Sequence, residues 1–502
     1  MAFQVFYDNV LSTMKITDVS AEQPVETEIL LADYDAPVFK VVKTTMEHSI
    51  TQKYIMNGKL TVEGFIKLVV YYQPPENGPL NAVSQKIPFN KQLDVEPADT
   101  ETAYISVTGQ CQYVNTRPQN STRIDIRGAY LFNIKVFAQI SQKAMTAVKG
   151  EAVCCDTKQL DCFYLSGQNT RRFSLEDEIT AGEDLSGVLR ADSFAPAPAV
   201  TVYNDKMTVK GEIVSSVYYT TRDGAIKKYS HTFPYNQIID MDGIVENNVV
   251  SAEVNIPSFA MSQNSETKKL TAKLAVNLDV CAFAKSQVIA VTDAFSRSFH
   301  YSKTANTTYN DTNMLMIDKA ATLKIDAATS KGFVTQDIIF DVSPVKSYFE
   351  ISKTTVKSKI TAHIIGINNL GEYECFSAEG DLVLPWFENC RRQDEICIDV
   401  KVVSSSFTMT EQGVQINANC AVQGFVIEKT QCTILSEFAE DTDNLLENNN
   451  EALIIYYANK GERVFEIAKR HCADPQMIIE ENNLTADSIT APQMLFIPAF
   501  KG

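Results

Sequence analysis

Asn57-Gly-Lys-Leu-Thr-Val-Glu-Gly-Phe-Ile-Lys-Leu-Val-Val-Tyr-Tyr72 decides how the rest of the chain is read. Leu60, Val62, Ile66, Leu68, Val70 and Tyr72 occupy alternate positions around Gly64. A two-residue period belongs to a strand with one buried face, because successive side chains point to opposite sides. The pattern returns as Asn204-Asp-Lys-Met-Thr-Val-Lys-Gly-Glu-Ile-Val-Ser-Ser-Val-Tyr-Tyr219, where Gly211 stands 147 residues after Gly64 (211 − 64). Met207, Val209, Ile213, Val217 and Tyr219 take the matching places. A third copy carries Ile360, Ala362 and Ile364, with Ala362 lying 151 residues after Gly211 (362 − 211).

A second landmark keeps nearly the same offset: Ile87-Pro-Phe-Asn90, Phe233-Pro-Tyr-Asn236 and Leu384-Pro-Trp-Phe387. A period near 150 residues is far above the roughly 20–50 of solenoids and propellers, so the reading is of duplicated domains. The chain is expected to be mainly β, with three tandem repeated β-domains, each a sandwich or a barrel, over 1–150, 160–297 and 298–435. Further strands are expected at 104–113, 123–137, 249–259, 269–283, 395–409 and 414–427. Hairpin turns are expected at Arg222-Asp-Gly-Ala225 and Asn368-Asn-Leu-Gly371, and turn chemistry at 115–121. Two stretches read as helical. Val5, Phe6, Val10, Leu11 and Met14 have helical spacing within 1–24, and Ser174 with Asp177 resembles a helix start. Trp386, Tyr235 and Phe89 are expected in the core rather than on a ligand platform.

Composition excludes several classes of function. Net charge is −17 and no basic patch occurs, which argues against nucleic acid and anionic membrane as partners. No run approaches the ~20 apolar residues of a membrane helix. Met1-Ala-Phe-Gln-Val-Phe-Tyr-Asp8 has no basic region and no long apolar core, so the expectation is a protein retained where it is made. Eleven cysteines without a C-x-x-C pair read as reduced thiols, and neither Cys154, Cys155 and Cys162 nor Cys390 and Cys397 have zinc spacing. No Walker, G-x-S-x-G, H-E-x-x-H or G-x-G-x-x-G motif stands in the chain. Asp240-Met-Asp-Gly243 begins like a calcium loop but lacks the later ligands. The five histidines are scattered, and His363 reads as a satisfied or surface residue. Catalytic, metal and cofactor residues are therefore all expected to be none, and the protein is expected not to be an enzyme.

Residues 436–451 carry six acids and no base and read as a solvated linker that leaves the last fifty residues free to reorient. Those residues, 452–500, change character. A strand at 453–458 precedes Val464, Ile467 and Ala468 at helical spacing; Asp474-Pro475 starts a second helix; Met494 to Ile497 forms a second strand. Tyr456, Gly461, Val464, Ile467, Ala468, Asn482 or Asn483 with Leu484, Ile489, Gln493, Leu495, Ile497 and Pro498 resemble a LysM module, which is a βααβ fold.

Such modules bind glycans containing N-acetylglucosamine. Carried over, the resemblance places a groove at Gly461, Glu462, Arg463, Val464, Asn483, Leu484, Ala491 and Pro492. Arg463 stands where the family has a small hydroxylated N-cap, and Ala491-Pro492 stands where it has Pro-Gly. Proline supplies no N–H and fills sugar space, which leaves a protein partner or a peptidoglycan partner open for the groove. Three β-repeats followed by one LysM resemble the SipL family of clostridial sporulation proteins, with tandem SPOCS domains. The resemblance implies an adaptor in the mother-cell cytoplasm that assembles the spore coat on the forespore surface and contacts the coat-basement protein SpoIVA through the LysM.

Overall fold

The computed structural model describes residues 3–97, 100, 102–179, 185–263, 270–350, 353–446 and 453–498. The first segment is β1 (Gln4–Leu30), β2 (Lys40–Met56), β3 (Lys59–Gln73), β4 (Asn81–Asp94), β5 (Ala103–Asn120) and β6 (Arg123–Lys149). The second is β7 (Val153–Ile179), β8 (Leu185–Phe194), β9 (Ala199–Tyr203), β10 (Lys206–Thr221), β11 (Ile226–Asp240), β12 (Val249–Gln263) and β13 (Leu270–Ser296). The third is β14 (Phe299–Ala328), β15 (Val334–Val342), β16 (Lys346–Phe349), β17 (Thr354–Ile367), β18 (Tyr373–Leu384), β19 (Glu395–Thr410) and β20 (Gly413–Leu445). A small unit of β21 (Leu453–Ala458), α1 (Val464–Arg470), α2 (Pro475–Glu481) and β22 (Gln493–Pro498) follows.

Each segment folds into two antiparallel sheets connected in the same way. One sheet joins the first, last and penultimate strands, in the orders β1-β6-β5, β7-β13-β12 and β14-β20-β19. The other is built on the alternating strand quoted first: β3, β10 and β17 each lie between partners. Leu60, Val62, Ile66, Leu68, Val70 and Tyr72 are all buried, as are Met207, Val209, Ile213, Val217 and Tyr219, and Ile360, Ala362 and Ile364. The six of β3, Met207, Val209 and Ile213 of β10, and Ile360, Ala362 and Ile364 of β17 meet the apolar faces of β6, β13 and β20 across a sandwich core. The choice left open between sandwich and barrel falls to the sandwich.

Local chemistry sets the connections. Asn57 and Gly58 both have positive φ, the backbone of a two-residue turn whose twist suits a hairpin, and they join β2 to β3. The turns at 222–225 and 368–371 lie between strands as expected. Opposite β3 runs one continuous β2, but opposite β10 and β17 the partner is split into β8 and β9, and into β15 and β16. Pro196, Pro198 and Pro344 fall in the gaps, and a residue without an N–H cannot continue a ladder. Phe89 pairs with Gly64 and Tyr235 with Gly211, and in the second segment the aromatic ring covers the glycine of the central strand. A Cβ at Gly211 would lie 2.5 Å from the Tyr235 hydroxyl.

The third landmark departs from this pattern. Ala362 pairs with Ala378, while Pro385, Trp386 and Phe387 form a 3₁₀ turn beyond the end of β18. Phe387 is buried but Trp386 is 41% exposed, contrary to its expected place in the core.

Three expectations of local structure are corrected. Residues 4–30 form β1, whose ladder to β6 overrides the helical spacing of Val5 to Met14. Ser174 and Asp177 lie within β7, paired with Ala275 and Ala272. Residues 436–445 are the end of β20 rather than linker: Ala439 pairs with Ser302 and Asp441 with His300, and Phe438 is buried. The rest of the expected linker, 447–451, lies outside the described residues, as do 452, 499 and 500 at the ends of the expected module.

The paired strands β1 and β6, β7 and β13, and β14 and β20 extend beyond the sandwiches as long hairpin-like ribbons, although the two strands of each are not consecutive in the chain. There they pack on one another. Val10, Ala144, Leu160, Cys162, Ala290, Cys432 and Ile434 form one shared cluster, with contributions from all three segments. At the base of the hairpins Phe425 packs 5.4 Å from Phe137, 5.3 Å from Phe283 and 5.3 Å from Tyr104. All eleven cysteines are free thiols. Burial pushes the Cys281 thiol up to about 12, which makes it an apolar packing residue rather than a nucleophile.

Phe425→Ala removes the ring that touches all three segments. It is expected to cost about 3–5 kcal/mol, the range for truncating a buried aromatic, with the loss read by chemical denaturation.

Candidate partner-binding site on the C-terminal module

The small unit closes around Val464, Phe465, Ile467, Ala468, Ile478, Leu495 and Ile497, all buried. β21 and β22 pair antiparallel from Leu453 with Pro498 to Ala458 with Gln493. Gly461 takes a φ of +92° that a side chain would resist, and its N–H bonds Ile489 O at 2.7 Å. Val464 N donates to Asp487 O at 2.7 Å. The loop before α1 is thus laced to the segment before β22, and this is where the expected groove lies.

The missing hydroxyl cap at Arg463 is replaced from a distance. Arg463 makes no side-chain cap of its own, and the Asp487 carboxylate accepts the Phe465 N–H at 3.0 Å. Arg463 Nε in turn donates to Asp487 at 2.8 Å. Asp474 caps α2 by accepting from Gln476 N at 3.0 Å. The Asn482 side chain donates to Ile478 O and Phe496 O and accepts from Phe496 N, tying α2 to β22. Asn483 sits at positive φ and is exposed.

The groove residues do not share one role. Val464 is fully buried and belongs to the core, so it is removed from the groove. Glu462 accepts from Tyr456 Oη at 2.9 Å, from Asn459 N at 2.8 Å and from Arg470 at 3.2 Å, and these donors hold its carboxyl below the usual range. Gly461, Asn483, Ala491 and Pro492 are exposed and Leu484 is half-buried.

Arg463 is committed inside the chain. Its two terminal nitrogens reach Asp156 on β7 at 2.7 and 2.9 Å, a bidentate pair. Lys469 reaches Asp293 at 2.5 Å, and Arg297 reaches Asp474 at 3.1 Å. Phe465 packs edge-on to Phe295 at 5.3 Å. The unit is therefore docked on the tips of the hairpins, and the expectation of free reorientation is overturned. Sequence reasoning missed the partners Asp156, Asp293 and Arg297. Asp156 and Asp293 stand singly in strands and Arg297 in the bend after β13, and no local pattern marks them.

Elsewhere the chemistry is structural. His363 is buried, 2.8 Å from Ser377 Oγ and 2.9 Å from Asp341. Among the described residues no three His, Cys, Asp or Glu side chains gather as a metal site, and no helix is long and apolar enough to cross a membrane.

Paired sandwiches of one topology, capped by a small βααβ unit, define a multi-sheet β-protein. The family model described as SipL, SPOCS domain matches residues 37–118 and 197–262, which span β2 to β5 and β9 to β12. The two matched stretches are thus similar to SPOCS domains of the SipL kind and stand in tandem. No curated protein and no solved structure matches it.

Two outcomes follow for docking. Arg463→Glu is expected to loosen the unit from the hairpin tips, with a coupling to Asp156→Arg of about 1 kcal/mol in a double-mutant cycle, since the arginine is 44% exposed and solvent screens the pair. The readout is the proteolysis rate of residues 446–453.

The second outcome concerns pH. The hydrogen bonds from Arg463 outweigh burial and hold the Asp156 carboxyl below its usual range. At Asp293 burial pushes up, but hydrogen bonds from Lys303 and Lys469 together pull it lower still. A depressed carboxyl stabilises the docked state above its ordinary pKa, about 4, and that contribution is lost as pH falls through the lower docked-state value. Docking should therefore hold at neutral pH and weaken below about pH 4, read by energy transfer between dyes on body and unit.

Proposed function

We propose that the chain is a non-enzymatic scaffold of spore-coat assembly. It acts in the mother cell at the forespore surface, and its βααβ unit is a LysM module that binds a coat-basement protein of the SpoIVA kind. The match to SipL-type SPOCS domains in a chain that also carries a βααβ unit supports this reading. A protein partner is favoured over peptidoglycan by the state of the groove. Arg463 is drawn onto Asp156, and Pro492 offers no N–H to a sugar. The outward face of the β21–β22 ribbon presents Leu453, Ile455, Tyr457 and Met494, each at least 45% exposed, and an apolar patch of this kind marks a protein contact more than a sugar platform.

Capture from sporulating cells with the full chain, with the chain ended at Leu446, and with Ile455→Asp/Tyr457→Asp tests this. The full chain should retain a coat-basement protein. The double variant should bind it roughly tenfold or more weakly, on the scale of lost hot-spot residues. Cosedimentation of the full chain, but not the shortened one, with purified peptidoglycan would replace the protein partner by a glycan. Expression confined to vegetative growth would end the sporulation reading.

A further inference from the structure

The second half of β19 is an edge strand without the usual protection. β19 pairs with β20 on one side only, and every residue from Val403 to Thr410 is exposed. Val402 to Thr410 holds no charge, no proline and no glycine, but Phe407 and the β-branched Val402, Val403, Thr408 and Thr410. Among the described residues no backbone hydrogen bond outside the ladder to β20 reaches 404–410. An exposed edge of this composition is a template for another strand, because its outward N–H and C=O groups are unpaired.

The corresponding edges of the other two segments are guarded. β5 carries Arg117 and Pro118 near its end, and Thr44 of β2 meets Thr116, hydroxyl to hydroxyl, at 2.8 Å. β12 carries Pro257 where its ladder slips between Asn255 and Ser258, and Ser49 of the first segment donates to Pro257 O at 3.2 Å. The third segment lacks such cover because β15 is short. The ladder of β2 to β3 runs nine residues past Gly64, to Gln73 (73 − 64), while that of β15 to β17 stops five past Ala362, at Ile367 (367 − 362). Thr335, near the start of β15, comes 3.6 Å from Met409 Sδ.

The open edge leaves core side chains uncovered. Phe407 pairs with Ile416, Met409 with Val414 and Ser405 with Ala418, and all three partners are buried in the third sandwich. Residues directly opposite across a ladder share a face. Phe407 and Met409 therefore lie on the core side, yet they are 44% and 47% exposed. One more strand would cover them and satisfy the outward backbone.

We propose that this strand is the same stretch of a second copy: residues 404–410 of two protomers run antiparallel about a two-fold axis through Phe407, joining the β14-β20-β19 sheet of each into one six-stranded sheet. The stretch is complementary to itself in that register. Phe407 meets the partner's Phe407, Ser405 the partner's Met409, Ser406 the partner's Thr408 and Ser404 the partner's Thr410, and aromatic pairs and hydroxyl pairs are favourable across strands. Glu411, the charge that ends the stretch, falls opposite the partner's Val403 and so about 26 Å from the partner's Glu411, at roughly 3.3 Å per residue, beyond the screening length of about 8–10 Å. The net charge of −17 thus sets no like charges against each other in the seam. The seam is separate from the C-terminal unit and does not depend on the function proposed for it.

Sedimentation equilibrium of the full chain tests this. A seam of one strand pair predicts a weak dimer, with the mass rising from one chain toward two between roughly 1 and 100 µM. Phe407→Lys and Phe407→Glu each set like charges opposite each other on the axis and should weaken the dimer at least about tenfold, while an equal mixture of the two should restore it, with lysine opposite glutamate. Ser406→Lys/Thr408→Lys lies on the face away from the core. It should weaken the dimer likewise at an unchanged melting temperature, which keeps the test open if a change at Phe407 harms the fold. Lys324→Glu, on β14 at the other edge of the same sheet, should leave the mass unchanged, and so should Ile455→Asp/Tyr457→Asp. A monomer at every concentration would overturn the proposal and leave the edge to an extended segment of another protein. So would a dimer indifferent to the charges placed at 406–408, a mixture of folded Phe407→Lys and Phe407→Glu chains that stays monomeric, or a dimer lost with Ile455→Asp/Tyr457→Asp instead.

Discussion

The contact on which the rest depends is the packing of Phe425 between Phe137 and Phe283, one ring from each segment. Each sandwich buries one face of its sheets within itself. The long hairpins run past the end of their sandwich, where no second sheet covers them, and bare apolar strand faces are costly in water. They cover one another instead. Alanine and cysteine at Ala144, Ala290, Cys162 and Cys432 keep the approach close, while Met145, Val148, Val291, Ala294, Leu435 and Phe438 fill the next layer. Once three hairpins share one core, the three sandwiches cannot move independently.

Polar groups fix the register of that junction. Lys429, buried, reaches Asp311 at 3.5 Å and donates to Thr13 O at 3.2 Å, while Asp311 accepts the Phe163 N–H at 2.8 Å. These links join all three segments. Arg190 ties the second segment to the third, with Asp192 on its own strand and Asp337 on β15. Buried ion pairs add little net stability, because desolvation offsets their attraction. They discriminate strongly against arrangements that would leave a charge unpaired, and so select one packing of three similar domains.

The same hairpins carry the C-terminal unit. Their tips bring Asp156, Asp293, Phe295 and Arg297 to one place, and the unit supplies Arg463, Lys469, Phe465 and Asp474 in return. Docking turns one side of the unit toward the body and leaves the outer ribbon face exposed. A face held by such contacts binds with less ordering cost than one on a flexible tether.

Local periodicity determined much of this protein from the sequence alone. The alternation from Leu60 to Tyr72 placed a half-buried strand, its return at Met207 and Ile360 placed two more, and Asp223-Gly224 marked a hairpin, because side-chain direction and turn backbone are set by near neighbours. The βααβ order of the last residues was legible for the same reason, through Asp474-Pro475 and the Val464, Ile467, Ala468 face. What near neighbours do not set was left to the tertiary structure. Val5 to Met14 could satisfy a helix or a strand, and only the ladder to β6 chose. Val69, Tyr71 and Ile365 lie on the side that alternation assigns to solvent, yet they are buried because another segment covers them. Arg463 read as a residue of the groove, but its charge is met by Asp156, 307 residues away in sequence. Pairings at that distance depend on how whole sheets stack, and no local pattern encodes them.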